Sequence, residues 1–111
     1  RHGYGAYTAS KHAVLGLVKC FAQEFAPRRI TVNAVCPGWV DTRMARADLV
    51  HTDQVRGTTP EQERQTAEAA IPLGRFITAE EVAALIVFLT SRGAAGITGQ
   101  AYNISGGEFF A

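Results

Sequence analysis

One short and almost wholly apolar segment, Ile30 to Cys36, constrains the fold of this chain more than any other feature. Its sequence, Ile-Thr-Val-Asn-Ala-Val-Cys, is rich in β-branched residues, and Pro37-Gly38 ends it sharply. A strand that is apolar along its whole length is covered on both faces, which is typical of parallel sheets. We therefore predict an α/β protein with a buried strand over 30–36 and a shorter final strand over 99–104.

Helical patterns surround these strands. Small and apolar residues recur every three or four positions from Ala6 to Ala26, and Pro27 ends this helix. Thr59-Pro60-Glu61-Gln62 and Thr78-Ala-Glu-Glu81 are capping boxes, and the second opens an apolar helix that runs to about Ser91. Because two strands do not make a stable sheet, we expect residues 1–111 to be the C-terminal part of a larger single domain.

The segment from Asp41 to Glu68 has a different composition. It holds ten of the 21 charged residues, although charged residues make up only 19% of the chain. High charge and poor apolar periodicity predict a mobile segment that is helical or partly helical. We interpret 41–72 as a flap.

Composition also excludes several classes of protein. The longest apolar run, Val82 to Leu89, is far shorter than the roughly 20 residues that a membrane-spanning helix needs. A net charge of +1 gives no reason to expect nucleic acid or a membrane surface as a partner. Cys20 and Cys36 lack metal-ligand spacing, so we predict no metal site, two small buried hydrophobes and a reducing, cytoplasmic setting.

Tyr7-Thr-Ala-Ser-Lys11 is the motif that points most directly to chemistry. Residues i and i+4 lie one turn apart on one helix face, so the phenol of Tyr7 and the ammonium of Lys11 can face one cleft. A phenol ordinarily ionises near pH 10, and a lysine charge about 5 Å away stabilises the phenolate by roughly 3 kcal/mol. Such a pair suits general acid–base chemistry on a carbonyl or alcohol, although a surface Tyr and Lys can also share a helix by chance.

Four motifs in order resolve this ambiguity. Tyr7-x-x-x-Lys11 is followed by Ile-Thr-Val-Asn-Ala-Val-Cys-Pro-Gly-Trp-Val-Asp-Thr over 30–42, by Pro72-Leu-Gly-Arg-Phe and by Asn103-Ile-Ser-Gly-Gly. In this order the chain resembles the C-terminal half of the short-chain dehydrogenase/reductases. The resemblance implies a Rossmann-like, doubly wound parallel sheet of which this chain supplies the last two strands and their flanking helices. It also implies an oxidoreductase that uses NAD or NADP to interconvert a carbonyl and a secondary alcohol.

The resemblance assigns roles residue by residue. Tyr7 matches the catalytic tyrosine that exchanges a proton with the substrate oxygen, and Lys11 matches the lysine that holds the nicotinamide ribose and lowers the tyrosine pKa. Pro37 and Gly38 match the turn that passes the nicotinamide. Val40 matches the position whose backbone binds the carboxamide, and Thr42 the side chain that contacts the cofactor near its amide or pyrophosphate.

Several readings stay open at this point. The Val-Cys-Pro-Gly turn over 35–38 and the Gly-Ala-Ala-Gly-Ile-Thr-Gly-Gln run over 93–100 are similar to those of 3-oxoacyl-thioester and polyketide ketoreductases, but a sugar acid or a small alcohol stays open as the substrate. In the family, the glycine-rich loop, the catalytic serine and the catalytic asparagine all precede the tyrosine, so these 111 residues alone are expected to be inactive. They could instead act as a non-catalytic interaction fragment. We also expect a homodimer or homotetramer formed through the 6–26 helix, whose apolar surface extends beyond one face.

Overall fold

The computed structural model describes residues 3–108, so the two residues before them and the three after them lie outside the description. Four α-helices and two strands occur in this part of the chain. In chain order they are α1 (Gly5–Phe25), β1 (Ala34–Pro37), α2 (Arg43–Arg56), α3 (Pro60–Ala69), α4 (Ala79–Leu89) and β2 (Ala101–Ile104). The described residues divide into two compact units, one of 3–35 and 86–102 and the other of 36–85 and 103–108.

The two strands are neighbours in one sheet and run parallel, which confirms the predicted α/β class. The Ala34 N–H donates to the Gln100 carbonyl at 2.8 Å, and four residues on, the Gly38 N–H donates to the Ile104 carbonyl at 3.1 Å. The equal advance along both strands is the pattern of a parallel pair.

Both strands are shorter than predicted. Upstream of Ala34, the Val32 N–H donates to the Thr98 hydroxyl at 3.0 Å, so a side chain takes the place of a backbone partner. The Asn33 side chain likewise donates to the Ile97 carbonyl at 2.8 Å. The second strand begins at 101 and not at 99 because Gly99 has a left-handed φ of +71°, which no strand residue adopts.

Helix α1 matches its predicted bounds to within one residue at each end. A 3₁₀ turn, Ala26–Arg28, follows it and contains the expected proline. Arg29 then adopts a left-handed φ of +58° and donates its N–H to the Ala26 carbonyl at 2.9 Å, so the chain makes the cap without the usual glycine. Within the described residues, α1 buries only Ala22. The prediction that both cysteines are buried is therefore wrong: Cys20 lies on an exposed face of α1, and Cys36 in β1 is only half-buried.

The charged segment is helical, as predicted, and it contains two helices, α2 and α3. The Thr42 side chain caps α2, and the predicted capping box of α3 is present, with Gln62 N–H to Thr59 hydroxyl at 3.2 Å and the reciprocal bond at 3.0 Å. The apolar sides of these helices meet in a small core. It consists of Leu49, Ile71 and Phe76, with Trp39 and Ala67 packed against them.

The capping box that opens α4 is also confirmed. The Glu81 N–H donates to the Thr78 hydroxyl at 3.1 Å, and the Thr78 N–H donates to the Glu81 carboxylate at 2.8 Å. Arg75 reinforces the box with two bonds to the same carboxylate, at 3.0 and 2.7 Å. The helix ends at Leu89, two residues before the predicted end, and a 3₁₀ turn follows at Arg92–Ala94.

Candidate active site

Tyr7 and Lys11 lie one turn apart in the first half of α1, and the structure brings their side chains together. The Lys11 ammonium nitrogen lies 5.3 Å from the centroid of the Tyr7 ring. The ring of Tyr4 meets the ring of Tyr7 edge to face, with 6.3 Å between centroids. The phenol of Tyr7 is thus held by a neighbour on each side along the helix, while 60% of the residue is exposed. A largely exposed phenol with an ammonium over its ring can give and take a proton.

The turn at the end of β1 requires glycine at position 38. A Cβ on Gly38 would lie 2.9 Å from the Cβ of Ser105, closer than two carbon atoms can approach. The backbone of the turn is also fixed, because the Gly38 N–H bonds to the Ile104 carbonyl. Pro37, which precedes it, is exposed. The pair gives a rigid, exposed edge with little side chain, against which a planar group can lie.

Val40 makes an isolated parallel bridge with Ile77. The Ile77 N–H donates to the Trp39 carbonyl at 2.8 Å, and the Asp41 N–H donates to the Ile77 carbonyl at 2.9 Å. In such a parallel bridge the backbone N–H and C=O of Val40 itself point away from Ile77. Over residues 3–108, the N–H and C=O of Val40 have no hydrogen-bond partner. A donor and an acceptor side by side fit a primary carboxamide, which carries one of each.

Thr42 is the N-cap of α2. Its hydroxyl oxygen accepts from the Ala45 N–H at 3.3 Å, and the hydroxyl hydrogen is left to donate elsewhere. The first turn of a helix favours anionic groups because its N–H groups are not used inside the helix. The predicted contact of Thr42 with an amide or a pyrophosphate is compatible with this geometry.

The predicted site residues therefore form two groups. Tyr7 and Lys11 belong to the first unit, and the positions from Pro37 to Thr42 belong to the second. All four positions of the second group follow one another at the carboxyl end of β1, where sheets of this kind bind ligands.

A charged cluster that the sequence does not predict lies next to these positions. The carboxylate of Asp41 accepts two bonds from Arg46, at 3.2 and 3.1 Å, and two from Arg64, at 3.4 Å each. The hydrogen bonds from Arg64 and then from Arg46 hold the pKa of Asp41 below its ordinary value. Sequence alone contains no sign of this cluster, since Arg64 is 23 residues from Asp41.

Trp39 and Phe76 pack on each other. Their rings are stacked at 5.3 Å with an angle of 11° between planes, and Phe76 is buried. Among residues 3–108 no group of His, Cys, Asp or Glu side chains could hold a metal ion. None of the helices in that range is long and apolar enough to span a membrane.

Comparison with known proteins identifies the family. A family model described as enoyl-(acyl carrier protein) reductase matches residues 1–108. A crystal structure of a short-chain dehydrogenase family protein from Francisella tularensis superposes with a TM-score of 0.93 and 33% identity, over 97% of this chain and 45% of that one. The chain belongs to the short-chain dehydrogenase/reductase family. The predicted Rossmann-like fold is confirmed by these short-chain dehydrogenase neighbours.

Two further comparisons add the names of relatives. The chain is 50% identical, over 91% of its length, to a Streptomyces virginiae protein named as a ketoacyl reductase of the monensin polyketide synthase. It matches a crystal structure of an actinorhodin polyketide ketoreductase with NADPH at 42% identity and a TM-score of 0.86, over 92% of this chain. In both cases the chain spans only 39% of the relative's length.

Proposed function

We propose that this chain carries the proton-transfer pair and the nicotinamide-side segment of an NAD(P)-dependent reductase that interconverts a carbonyl and a secondary alcohol. One observation supports this more than any other: the Lys11 ammonium lies 5.3 Å from the Tyr7 ring centroid on one turn of α1. Family membership gives this geometry a chemical context that a surface Tyr–Lys pair would lack.

In this proposal Tyr7 is the general acid and base. Its hydroxyl donates a proton to the substrate oxygen as a carbonyl is reduced, and takes the proton back as an alcohol is oxidised. The Lys11 ammonium stabilises the negative charge that develops on the phenol oxygen. The nicotinamide cofactor, when bound, supplies or accepts the hydride at the carbon of the same C–O bond.

The cofactor would be held by the segment that follows β1. The free N–H and C=O of Val40 match the carboxamide, the Pro37-Gly38 turn gives the ring a flat edge, and Thr42 offers a hydroxyl hydrogen. Either NAD or NADP fits these contacts, because none of them touches the part of the cofactor in which the two differ. Lys11 would bind the nicotinamide ribose.

We assign the substrate to the class of 3-oxoacyl thioesters or polyketides. Support comes from relatives named as ketoacyl reductases, among them a 3-oxoacyl-(acyl-carrier-protein) reductase from Thermotoga maritima that is 45% identical over 95% of this chain. The flap over 41–72, with helices α2 and α3, would cover the substrate. A competing class is a sugar, since a Thermoplasma acidophilum aldohexose dehydrogenase structure matches with a TM-score of 0.86 and 34% identity.

The proposal includes assembly through α1. Val14, Leu17 and Phe21 form a stripe along this helix. Within the described chain they are 51%, 52% and 40% exposed, respectively. Apolar side chains at spacings of three and four cover one helix face, and such a stripe suits a two-fold contact with the same helix of a second copy.

A substrate comparison on the full-length protein tests the proposed chemistry. Oxidation of NADPH and of NADH is followed with acetoacetyl thioester as substrate, and reduction of NADP⁺ and NAD⁺ with an aldohexose and with a 3-hydroxyacyl thioester. We expect turnover with the two thioesters and little with the sugar. Turnover of the aldohexose alone would reject the substrate class, and no turnover with any of them would reject the proposed activity.

A further inference from the structure

Both chain neighbours of Val40 are connected to one side chain of α3. The two terminal nitrogens of Arg64 donate to the two carboxylate oxygens of Asp41 at 3.4 Å each. The guanidinium carbon of Arg64 lies 4.7 Å from the ring centroid of Phe76. Phe76 in turn stacks on Trp39. Arg64 therefore reaches Asp41 directly and Trp39 through one intervening ring.

The chemistry of this contact needs an arginine. A planar guanidinium can lie on an aromatic face and still donate in its own plane to a carboxylate, which the ammonium of a lysine cannot do. The remaining nitrogen of Arg64 donates to Glu68 at 3.1 Å, one turn further along α3, and this bond fixes the plane. About a third of each of the Arg64 and Asp41 side chains is exposed, so the pair is neither buried nor fully solvated.

The backbone connects these side chains to the candidate cofactor segment. The Trp39 carbonyl and the Asp41 N–H are both bonded to Ile77, and between them lie the N–H and C=O of Val40, which bond to no other group of residues 3–108. Rotating the peptide group between Trp39 and Val40 turns the Val40 N–H, and rotating the one between Val40 and Asp41 turns the Val40 C=O. Arg64 opposes such a rotation at both neighbours of Val40. It holds Asp41 through an ion pair, and it holds Trp39 through the ring of Phe76, which stacks between them.

We propose that Arg64 is a positioning residue that couples helix α3 to residues 39–41. While Arg64 contacts Asp41 and Phe76, α3 holds the Val40 backbone in the orientation that the cofactor carboxamide requires. This inference rests on the proposed function. Coupling between two sites is reciprocal, so cofactor binding must in turn stabilise the docked position of α3. The residue does not touch the reacting atoms.

Three variants of the full-length protein test this coupling. Arg64→Met keeps most of the length of the side chain but removes the guanidinium fork, the planar group that donates to Asp41. Arg64→Lys keeps the positive charge without that fork. Arg46→Met removes the other arginine that donates to Asp41. Arg46 is the matched control because it donates to the same Asp41 carboxylate from α2 and not from α3. Each variant is titrated with NADPH or NADH, whichever the parent binds more tightly, and hydrogen exchange of α3 is measured with and without the cofactor.

We expect the parent to show slower exchange in α3 when the cofactor is bound. Arg64→Met should lose this cofactor-induced protection and bind the cofactor about fivefold more weakly, near the lower end of typical site–site coupling. Arg64→Lys should fall between the parent and Arg64→Met. Arg46→Met should stay within about twofold of the parent, as for an exposed pair. In a double-mutant cycle, the losses from Arg64→Met and Asp41→Asn should be less than additive, because both changes remove the same Asp41–Arg64 contact.

Two different failures can be told apart. A parent protein that binds neither NADPH nor NADH would reject the proposed function itself. A parent that binds the cofactor, with Arg64→Met binding equally well or keeping the cofactor-induced protection of α3, would reject only the coupling. If Arg64→Met fails to fold, Arg64→Lys decides alone: parental affinity and parental protection in that folded variant would contradict a role for the guanidinium fork.

Discussion

Gly106 is the position where the structure makes its sharpest prediction about stability. Its φ is +67°, and a Cβ there would lie 2.6 Å from the Cγ2 atom of Ile71 and 3.4 Å from the Cβ of Leu73. Ile71 is 3% exposed and belongs to the small core beneath α2 and α3, so it has little room to move. A Gly106→Ala substitution therefore forces both a left-handed alanine and a steric overlap in the core.

The two effects can be separated by a matched control. Gly57 has almost the same φ, +69°, but nothing lies within 4 Å of its added Cβ. A left-handed alanine costs about 1–2 kcal/mol, which is all that Gly57→Ala should lose. Overpacking a core costs about 1–3 kcal/mol more, so Gly106→Ala should lose about 2–5 kcal/mol in total.

Urea unfolding of the full-length protein, followed by far-UV circular dichroism, measures both free energies of unfolding. We expect Gly106→Ala to be the less stable variant by at least about 1 kcal/mol, the minimum for the overlap. Equal losses in the two variants would show that Ile71 yields without penalty. The described packing around Gly106 would then be wrong.

Three further changes have expected outcomes. Arg29→Gly should raise the thermal midpoint and the free energy of unfolding, by up to about 1 kcal/mol, because the left-handed φ of +58° favours glycine; a lower midpoint would contradict this. Hydrogen bonds from Arg75 lower the pKa of Glu81 from 4.5 to about 2, so its stabilisation is complete above pH 4.5 and is lost as the pH falls towards 2. Glu81→Gln should therefore flatten the fall of the thermal midpoint across this window, and an unchanged slope would reject the pairing. Val14→Arg should shift the mass measured by light scattering from the proposed oligomer towards the monomer, while Gln23→Arg, also exposed on α1, should not; a monomeric parent, or an intact oligomer in both variants, would exclude the α1 stripe.

Features that depend on residues close in sequence were predictable. The Tyr7–Lys11 pair follows from the helical repeat alone, and both capping boxes follow from residue types three positions apart. The end of β1 was predictable to within one residue, because Pro-Gly interrupts a strand and β1 ends at Pro37.

Features that depend on distant residues were not predictable in this way. The start of β1 is fixed by a Thr98 side chain 66 residues from the N–H it accepts, and the Asp41–Arg64 pair spans 23 residues. The exposure of Cys20 has the same origin, because a periodic apolar pattern marks faces suited to burial without showing what covers them. Arg29 adopts a conformation that its residue type disfavours, and local propensity cannot show that the surrounding turn imposes it.

The central claim is that Tyr7 transfers the proton, and a comparison of two tyrosines tests it most directly. Tyr7→Phe and Tyr4→Phe each remove one hydroxyl from neighbouring rings at the start of α1. Turnover and cofactor affinity of the full-length protein are measured for both. Tyr7→Phe should lower kcat/KM by about 10²–10⁴-fold with a cofactor Kd within about threefold of the parent, since only general acid–base catalysis is lost. Tyr4→Phe should retain most of the activity. Turnover of Tyr7→Phe within about twofold of the parent would contradict the account.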